Sequence, residues 1–369
     1  MGSVIAIDAR MLKHSGIGTY IRNLLENLAT LENEYVFEVI CSRKESLCGL
    51  PPDRFRLVPA NSPIYSLSEQ WEIARLARHA SMLHSPHYNA SLLYRGKLVV
   101  TIHDLIHVTD PTFSRTLVAR LYARPMFNLV ARKADRIIAD SEFTKQQIVE
   151  HLAISPSKVT VVYLGVDSHF CSHDREQASS RVYSLLGLKR PYILFVGNLK
   201  PHKNVKMLIH AFSRIHAQRD FDHDLLILGD DRKWKAGLVN ECRNLGITER
   251  VHFTPHVPYE DLPWVYEAAE LLVMPSLIEG FGLPVLEAMA CGTPVVCSRA
   301  ASLPEVAGDA AEYFEPESVD GLATTMERVL RWRKLRETLR CKGLERAKLF
   351  TWQECARQTL GVYHGTLQD

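Results

Sequence analysis

Pro275-Ser276-Leu277-Ile278-Glu279-Gly280-Phe281-Gly282-Leu283-Pro284-Val285-Leu286-Glu287 follows a short apolar run, Leu271–Met274, and leads into a helical pattern over 283–290. The run reads as a buried β-strand and the stretch as a strand–loop–helix unit of an α/β protein. Gly280 and Gly282 free the backbone, and Pro284 suits the first helical turn, where its missing N–H costs nothing. The unpaired N–H groups of a helix start attract phosphate oxygens. Glu279 precedes the helix and Glu287 lies about a turn inside it. Carboxylates repel phosphate and accept hydrogen bonds from sugar hydroxyls, so the loop offers amides for a diphosphate and acids for flanking sugars. The plainer alternative is that both glutamates only complement the helix dipole.

Outward from this stretch, short β patterns alternate with longer helical ones. In the first half the strand candidates are 4–8, 35–41, 56–58, 82–84, 98–102, 136–140 and 158–162, with helical patterns over 18–31, 68–80, 114–133 and 142–152. In the second half they are 192–196, 225–228, 251–253, 271–274 and 294–297, with helices over 204–216, 235–245, 259–268, 283–290 and 320–330, then 333–350 and 351–367. Strands separated by helices predict parallel sheets covered by helices. Residues 168–190 are polar with no strand pattern, end in a short helical stretch, and read as a linker. Two open sheets then bind ligands beyond the carboxyl ends of their strands.

Three further motifs fall just after strands. Gly16-Ile17-Gly18-Thr19-Tyr20 opens a helix after strand 4–8 and could present N–H groups to an anion, or be only a turn. Thr101-Ile102-His103-Asp104 ends a strand. His103 could touch a reacting group, or pair with Asp104 or a backbone carbonyl to fix a loop. Gly197-Asn198-Leu199-Lys200-Pro201-His202-Lys203-Asn204 places cationic side chains before a helix, either as a diphosphate clamp or as a solvated basic turn.

Composition narrows the class. The 369 residues suit two domains, and 46% hydrophobic residues supply ample core. A net charge of +2 argues against a nucleic-acid binder. The eight cysteines form no Cys-x-x-Cys pair and read as free thiols of a reducing cytosol. Val4–Ile7 lacks the basic flank of a signal peptide, and no apolar run reaches the ~18 residues of a membrane span. Within 114–136, Arg115, Arg120, Arg124, Arg132, Lys133 and Arg136 alternate with Leu117, Leu121, Tyr122, Met126, Phe127 and Leu129. This basic amphipathic pattern suits either an anionic membrane surface or a core-facing helix with solvated charges.

Taken together, Glu279 and Glu287 around Gly-Phe-Gly-Leu-Pro, Cys291–Val296, Ser302–Val306, Gly16-Ile17-Gly18, His103-Asp104, Ser141–Thr144 and Lys203-Asn204 resemble, in order, the family 4 retaining glycosyltransferases. The resemblance covers residues 4 to about 310. It implies the GT-B architecture: α/β, two Rossmann-like domains with parallel sheets facing a central cleft. The expected divisions are an acceptor domain over 1–170, a nucleotide-sugar domain over 171–350, and a final helix over 351–369 crossing back to the first domain, anchored by Trp352.

The resemblance also implies roles. Glu287 holds the ribose and Glu279 faces the donor sugar. Gly16, Gly18, Asn198, Lys203, Phe281, Gly282 and Leu283 serve the diphosphate and sugar, the base lies near 253–257, and His103 sits beside the anomeric carbon. His103 and Glu279 are the expected catalytic pair. The partners implied are a nucleotide diphosphate sugar and a glycan or lipid-linked acceptor, in the cytoplasm or peripherally on the inner face of an anionic membrane. No cofactor or metal is expected, on the reading that the chain contains no Asp-x-Asp pair. Asn198 stands where many members carry Arg, which inclines the expected donor toward GDP-mannose. A UDP-sugar donor, an epimerase of the same fold and a non-catalytic nucleotide-sugar binder are the competing readings.

Overall fold

The structure, a computed structural model, describes residues 3–42, 49–109, 117–218 and 221–369. They form two compact units, one of residues 1–165 with 351–369, the other of 166–350. Each is built on one parallel sheet.

The first unit contains β1 (Val4–Asp8), α1 (Ser15–Thr30), β2 (Val36–Ser42), β3 (Phe55–Ala60), α2 (Leu67–Leu76), β4 (Met82–Ser85), β5 (Lys97–Ile102), α3 (Ile106–Thr109), α4 (Leu117–Lys133), β6 (Arg136–Ala139), α5 (Glu142–Leu152) and β7 (Val159–Val161). The strands lie in the order β3-β2-β1-β4-β5-β6-β7, all paired parallel, and the order reverses between β1 and β4. Ile5, Ile7, Leu83, Val99 and Ile137 are wholly buried, as expected of strands covered on both faces.

The second unit contains α6 (Arg175–Leu186), β8 (Tyr192–Val196), α7 (Val205–His216), β9 (Asp224–Leu228), α8 (Arg232–Asn244), β10 (Val251–Thr254), α9 (Leu262–Ala268), β11 (Leu271–Met274), α10 (Leu283–Ala290), β12 (Val295–Ser298), α11 (Leu303–Ala307), β13 (Ala311–Phe314), α12 (Val319–Arg331) and α13 (Arg333–Ala347). Its order is β10-β9-β8-β11-β12-β13, also parallel, with the reversal between β8 and β11.

Three features depart from the sequence reading. Within 168–190 the helix is longer than the short helical stretch expected of a linker, spanning Arg175–Leu186. Asp174 caps α6 by accepting the Gln177 N–H, Gly187 ends the helix at φ +72°, and Ala178 and Val182 are buried. The first crossing between units falls earlier, at Gly165–Val166: the Val166 N–H donates to Phe350 O within the second unit, while Gly165 lies against Thr351 and Trp352 within the first. Strand β13 was not foreseen. It is an edge strand whose Glu312 and Tyr313 are only partly buried, so Ala-Glu-Tyr-Phe shows no apolar run.

The last helix, α14 (Trp352–Gln368), starts on an N-cap in which the Thr351 side chain accepts the Glu354 N–H. It packs on α1 in the first unit, with Trp352 buried. Tyr363 Oη lies 2.6 Å from His84 Nδ1, and His84 Nε2 lies 2.9 Å from Thr101 Oγ1, which is 3.1 Å from Tyr20 Oη. Burial holds His84 neutral, with its pKa lowered to about 3. This chain of polar groups fixes the rotation of α14, because a slip would leave a buried imidazole nitrogen unpaired. Tyr363→Phe is expected to cost about 1–3 kcal/mol of unfolding free energy by denaturant titration; an unchanged midpoint would show that the bond contributes nothing.

Candidate functional site

The two motifs of the second unit follow the two strands that flank its reversal. Because β8 and β11 are hydrogen-bonded neighbours, the loops leaving their carboxyl ends meet. A short 3₁₀ turn at Pro201–Lys203 and Asn204, left-handed at φ +54°, deliver Lys203 toward the other loop. Lys203 Nζ donates to both carboxylate oxygens of Glu279, at 2.7 and 2.5 Å, with both side chains largely buried. The Leu277 N–H donates to His202 O at 2.7 Å, fixing one loop on the other. At the base of this arrangement Gly229 passes so close to Gly197 that a Cβ would sit 1.8 Å from the Gly197 carbonyl oxygen.

Gly282 caps α10 at φ +102° with no side-chain partner for the helix start, and a Cβ there would meet Leu303 at 2.9 Å. Ser302 Oγ donates to Glu279 O and Phe281 O, which holds the loop. The Phe281 side chain is buried against Phe350 and leaves only its backbone to the loop surface. Leu283 opens the helix. Glu287, one turn on, accepts a 2.6 Å hydrogen bond from Tyr266 Oη. Burial pushes its carboxyl up to about 7, against the opposing effect of that bond, with the Asp167 charge adding to the rise. Asn198 is exposed, its side chain turned back to accept the Lys200 N–H at 3.2 Å.

In the first unit, His103 follows β5 and Asp140 follows the adjacent β6. His103 Nδ1 is 2.6 Å from Asp140 Oδ2, and Nε2 is 3.0 Å from Pro86 O. A carboxylate and a carbonyl both only accept, so both ring nitrogens donate and His103 is an imidazolium. Burial opposes that charge, but the Asp140 pair outweighs it and the pKa is raised. The partner is therefore Asp140 and not Asp104, whose Oδ1 accepts the Ile106 N–H at the start of α3.

Gly18 needs correction as an anion donor. Its N–H is spent on His14 O at 2.5 Å inside the first turn of α1, and it is glycine because a Cβ would strike Leu12 O at 2.2 Å. Gly16 has open space where a Cβ would stand.

Sequence reasoning missed a buried charge network beside His103. Arg10 Nε and Nη2 donate to Asp8 at 2.8 and 2.7 Å, Nη1 donates to Glu69 at 2.9 Å, and Asn89 donates to the other Glu69 oxygen at 2.8 Å. Asp8, Arg10 and Asn89 line a small pocket with Ser85, Pro86 and His87. Two charged residues closing a wholly apolar strand, as in Asp8-Ala9-Arg10, were the available signal. The Asp-x-Asp reading also needs correction. Asp220-Phe221-Asp222-His223-Asp224 contains two such pairs. Asp220 lies outside the described residues. Asp222 and Asp224 bind Arg250 and Arg190, and Asp224 also binds His252, at the amino end of β9 and not at the carboxyl-end loops.

Two parallel α/β sheets, with motifs on the carboxyl-end loops, define a protein of the GT-B fold class. Residues 14–170 match Glycosyltransferase Family 4, and residues 177–346 match Glycosyl transferases group 1. The chain is 31% identical over 268 residues to the O-antigen chain mannosyltransferase B of Escherichia coli, covering 72% of this chain and 70% of that protein. It is 32% identical over 280 residues to the MMP alpha-(1->4)-mannosyltransferase of Mycolicibacterium hassiacum, covering 72% of this chain and 64% of that one. Among solved structures, a glycosyltransferase from Rickettsia africae ESF-5 is similar in fold at TM-score 0.78 and 17% identity, covering 100% of this chain and 99% of that one. HepE from Anabaena, solved with UDP-glucose, is similar at TM-score 0.80 and 18% identity, covering 98% and 99%. The chain belongs to the family 4 glycosyltransferases.

The site makes two predictions. A carboxyl raised to about 7 in the folded chain keeps its full stability contribution below the unfolded value of 4.5 and loses it as pH rises through 7. The unliganded protein is therefore expected to lose stability across that window, and Glu287→Gln to flatten the loss in urea titrations; parallel curves for both proteins would exclude it. Asp140→Asn is expected to lower the His103 pKa, visible in imidazole nitrogen shifts against pH; an unmoved titration would refute the imidazolium assignment.

Proposed function

We propose that this chain is a retaining, metal-independent hexosyltransferase that moves mannose from GDP-mannose to a glycan or lipid-linked acceptor of a cell-surface polysaccharide. The Lys203–Glu279 pair at the reversal point of the second sheet carries this reading. In the unliganded site each charge satisfies the other. A nucleotide diphosphate sugar replaces both partners at once: its diphosphate takes the ammonium, and its sugar hydroxyls take the carboxylate. The unpartnered start of α10, at Gly282 and Leu283, adds amide donors for the same diphosphate. Glu287 takes the ribose hydroxyls, and binding there favours its ionised form.

Catalysis then rests on stabilising the departing diphosphate, with Lys203 and the helix-start amides already oriented. The leaving group itself helps to take the acceptor proton, which is why no nucleophilic carboxylate is invoked. His103, held as a cation by Asp140, is the group of the first unit assigned to the reacting sugar. The choice of mannose rests on the exposed neutral Asn198 after β8 and on the mannosyltransferase relatives. HepE, solved with UDP-glucose, supports a UDP-sugar as the second reading.

A panel of nucleotide sugars screened by thermal shift tests the proposal. GDP-mannose is expected to raise the melting temperature of the wild type and of His103→Ala, but not of Lys203→Ala or Glu287→Ala. His103→Ala is expected to lose turnover by about 10²–10³-fold, the range seen when one transition-state contact is removed. EDTA is expected to leave turnover unchanged. Full activity in Lys203→Ala would refute the diphosphate assignment, stabilisation by UDP-sugars alone would move the donor to the second reading, and a strict Mn²⁺ or Mg²⁺ requirement would refute metal independence.

A further inference from the structure

The basic amphipathic helix foreseen over 114–136 sends part of its described apolar face inward, while Leu129 stays 52% exposed. Residues 114–116 lie outside the described part, but in α4 Met126, Phe127, Val130 and Ala131 are buried in the core of the first unit. Two large apolar side chains of α2 are more exposed than any other large hydrophobic among the described residues. Leu67 is 85% exposed and Trp71, one turn later, 72% exposed, while Glu69, Ile73 and Ala77 bury the opposite side. Arg75 continues the strip a further turn on, and Arg78 follows in the 3₁₀ turn Ala77–His79; both are exposed.

A neighbouring loop extends this face. Ser91 Oγ donates to Gln70 O at 2.6 Å, the Leu92 N–H donates to Gln70 Oε1 at 2.8 Å, and Tyr94 Oη donates to Ala80 O at 3.0 Å. These bonds set Leu93 and Arg95, both exposed, beside α2. The acids of the helix are spent elsewhere. Glu69 is buried on Arg10 and Asn89, and the Glu72 carboxylate accepts the N–H groups of Asn61 and Ser62. The outward strip therefore reads apolar, apolar, cation, cation.

An exposed tryptophan and leucine on adjacent turns leave apolar area in water at about 25 cal/mol per Å², without a packing gain inside the unit. Tryptophan and leucine suit the boundary between headgroups and acyl chains, and arginines beside them suit lipid phosphates. We propose that α2 and the loop around Leu93 form a docking surface for an anionic lipid bilayer, with Leu67, Trp71 and Leu93 entering the boundary and Arg75, Arg78 and Arg95 meeting phosphate. The complementary charge selects an anionic bilayer as the occupant over a neutral one. This inference does not depend on the donor or the acceptor.

The test is co-sedimentation of the full chain with phosphatidylcholine vesicles, with and without phosphatidylglycerol, at low and high salt. The wild type is expected to sediment with the phosphatidylglycerol vesicles, less so at high salt. Leu67→Ser/Trp71→Ser and Arg75→Glu/Arg78→Glu are each expected to weaken binding at least tenfold while leaving the melting temperature and circular dichroism of the wild type. No binding by the wild type would overturn the proposal, as would equal binding by both double variants, which would place any contact on another surface. Light scattering supplies a further check. A concentration-dependent dimer abolished by Leu67→Ser/Trp71→Ser would also overturn it, by making a second copy the occupant.

Discussion

The ammonium of Lys203 bound by both oxygens of Glu279 depends on the strand order of the second sheet. These residues are separated by α7, β9, α8, β10, α9 and β11 along the chain, and they meet because β8 and β11 pair directly. A parallel sheet sends every strand's carboxyl end to the same edge, and the reversal leaves a gap there that no crossing helix fills. The glycines of the region answer the same geometry. Gly197 and Gly229 let the first loop lie close to the next, and Gly282 turns the second loop into α10.

Both sites keep their charges by pairing. A lone ammonium or carboxylate as buried as Lys203 or Glu279 would shift its proton or disrupt its surroundings. Lys203 and Glu279 are instead bound to each other. Glu287 behaves differently, because its neighbour is a phenol and not a cation: the Tyr266 bond only partly offsets burial, and the carboxyl remains raised. In the first unit His103 is a cation because its two neighbours can only accept. The Arg10 network shows the same logic, one guanidinium bridging two carboxylates at the ends of an otherwise apolar scaffold.

Much of the second site was legible because its parts share one local segment. Glu279, Gly282, Leu283 and Glu287 lie on a single loop and helix start, and their spacing sets their relative positions. The contacts between segments were not legible. Asp140 carries no mark in Arg136–Asp140 that distinguishes it from a strand-end aspartate, and only the pairing of β5 with β6 brings it to His103. Gly18 misled for a similar reason. Its glycine serves a close approach to the Leu12 carbonyl, and that demand looks the same in sequence as a demand for a free amide.

The sequence by itself determined the alternation of strands and helices and the chemistry of the carboxyl-end loops, because periodicity and turn residues act within a few positions. Tertiary structure alone decided which loops meet, which charges pair and which apolar side chains stay in water, as Leu67 and Trp71 of α2 do. Those outcomes follow from strand order and burial, and both are properties of the folded sheet as a whole.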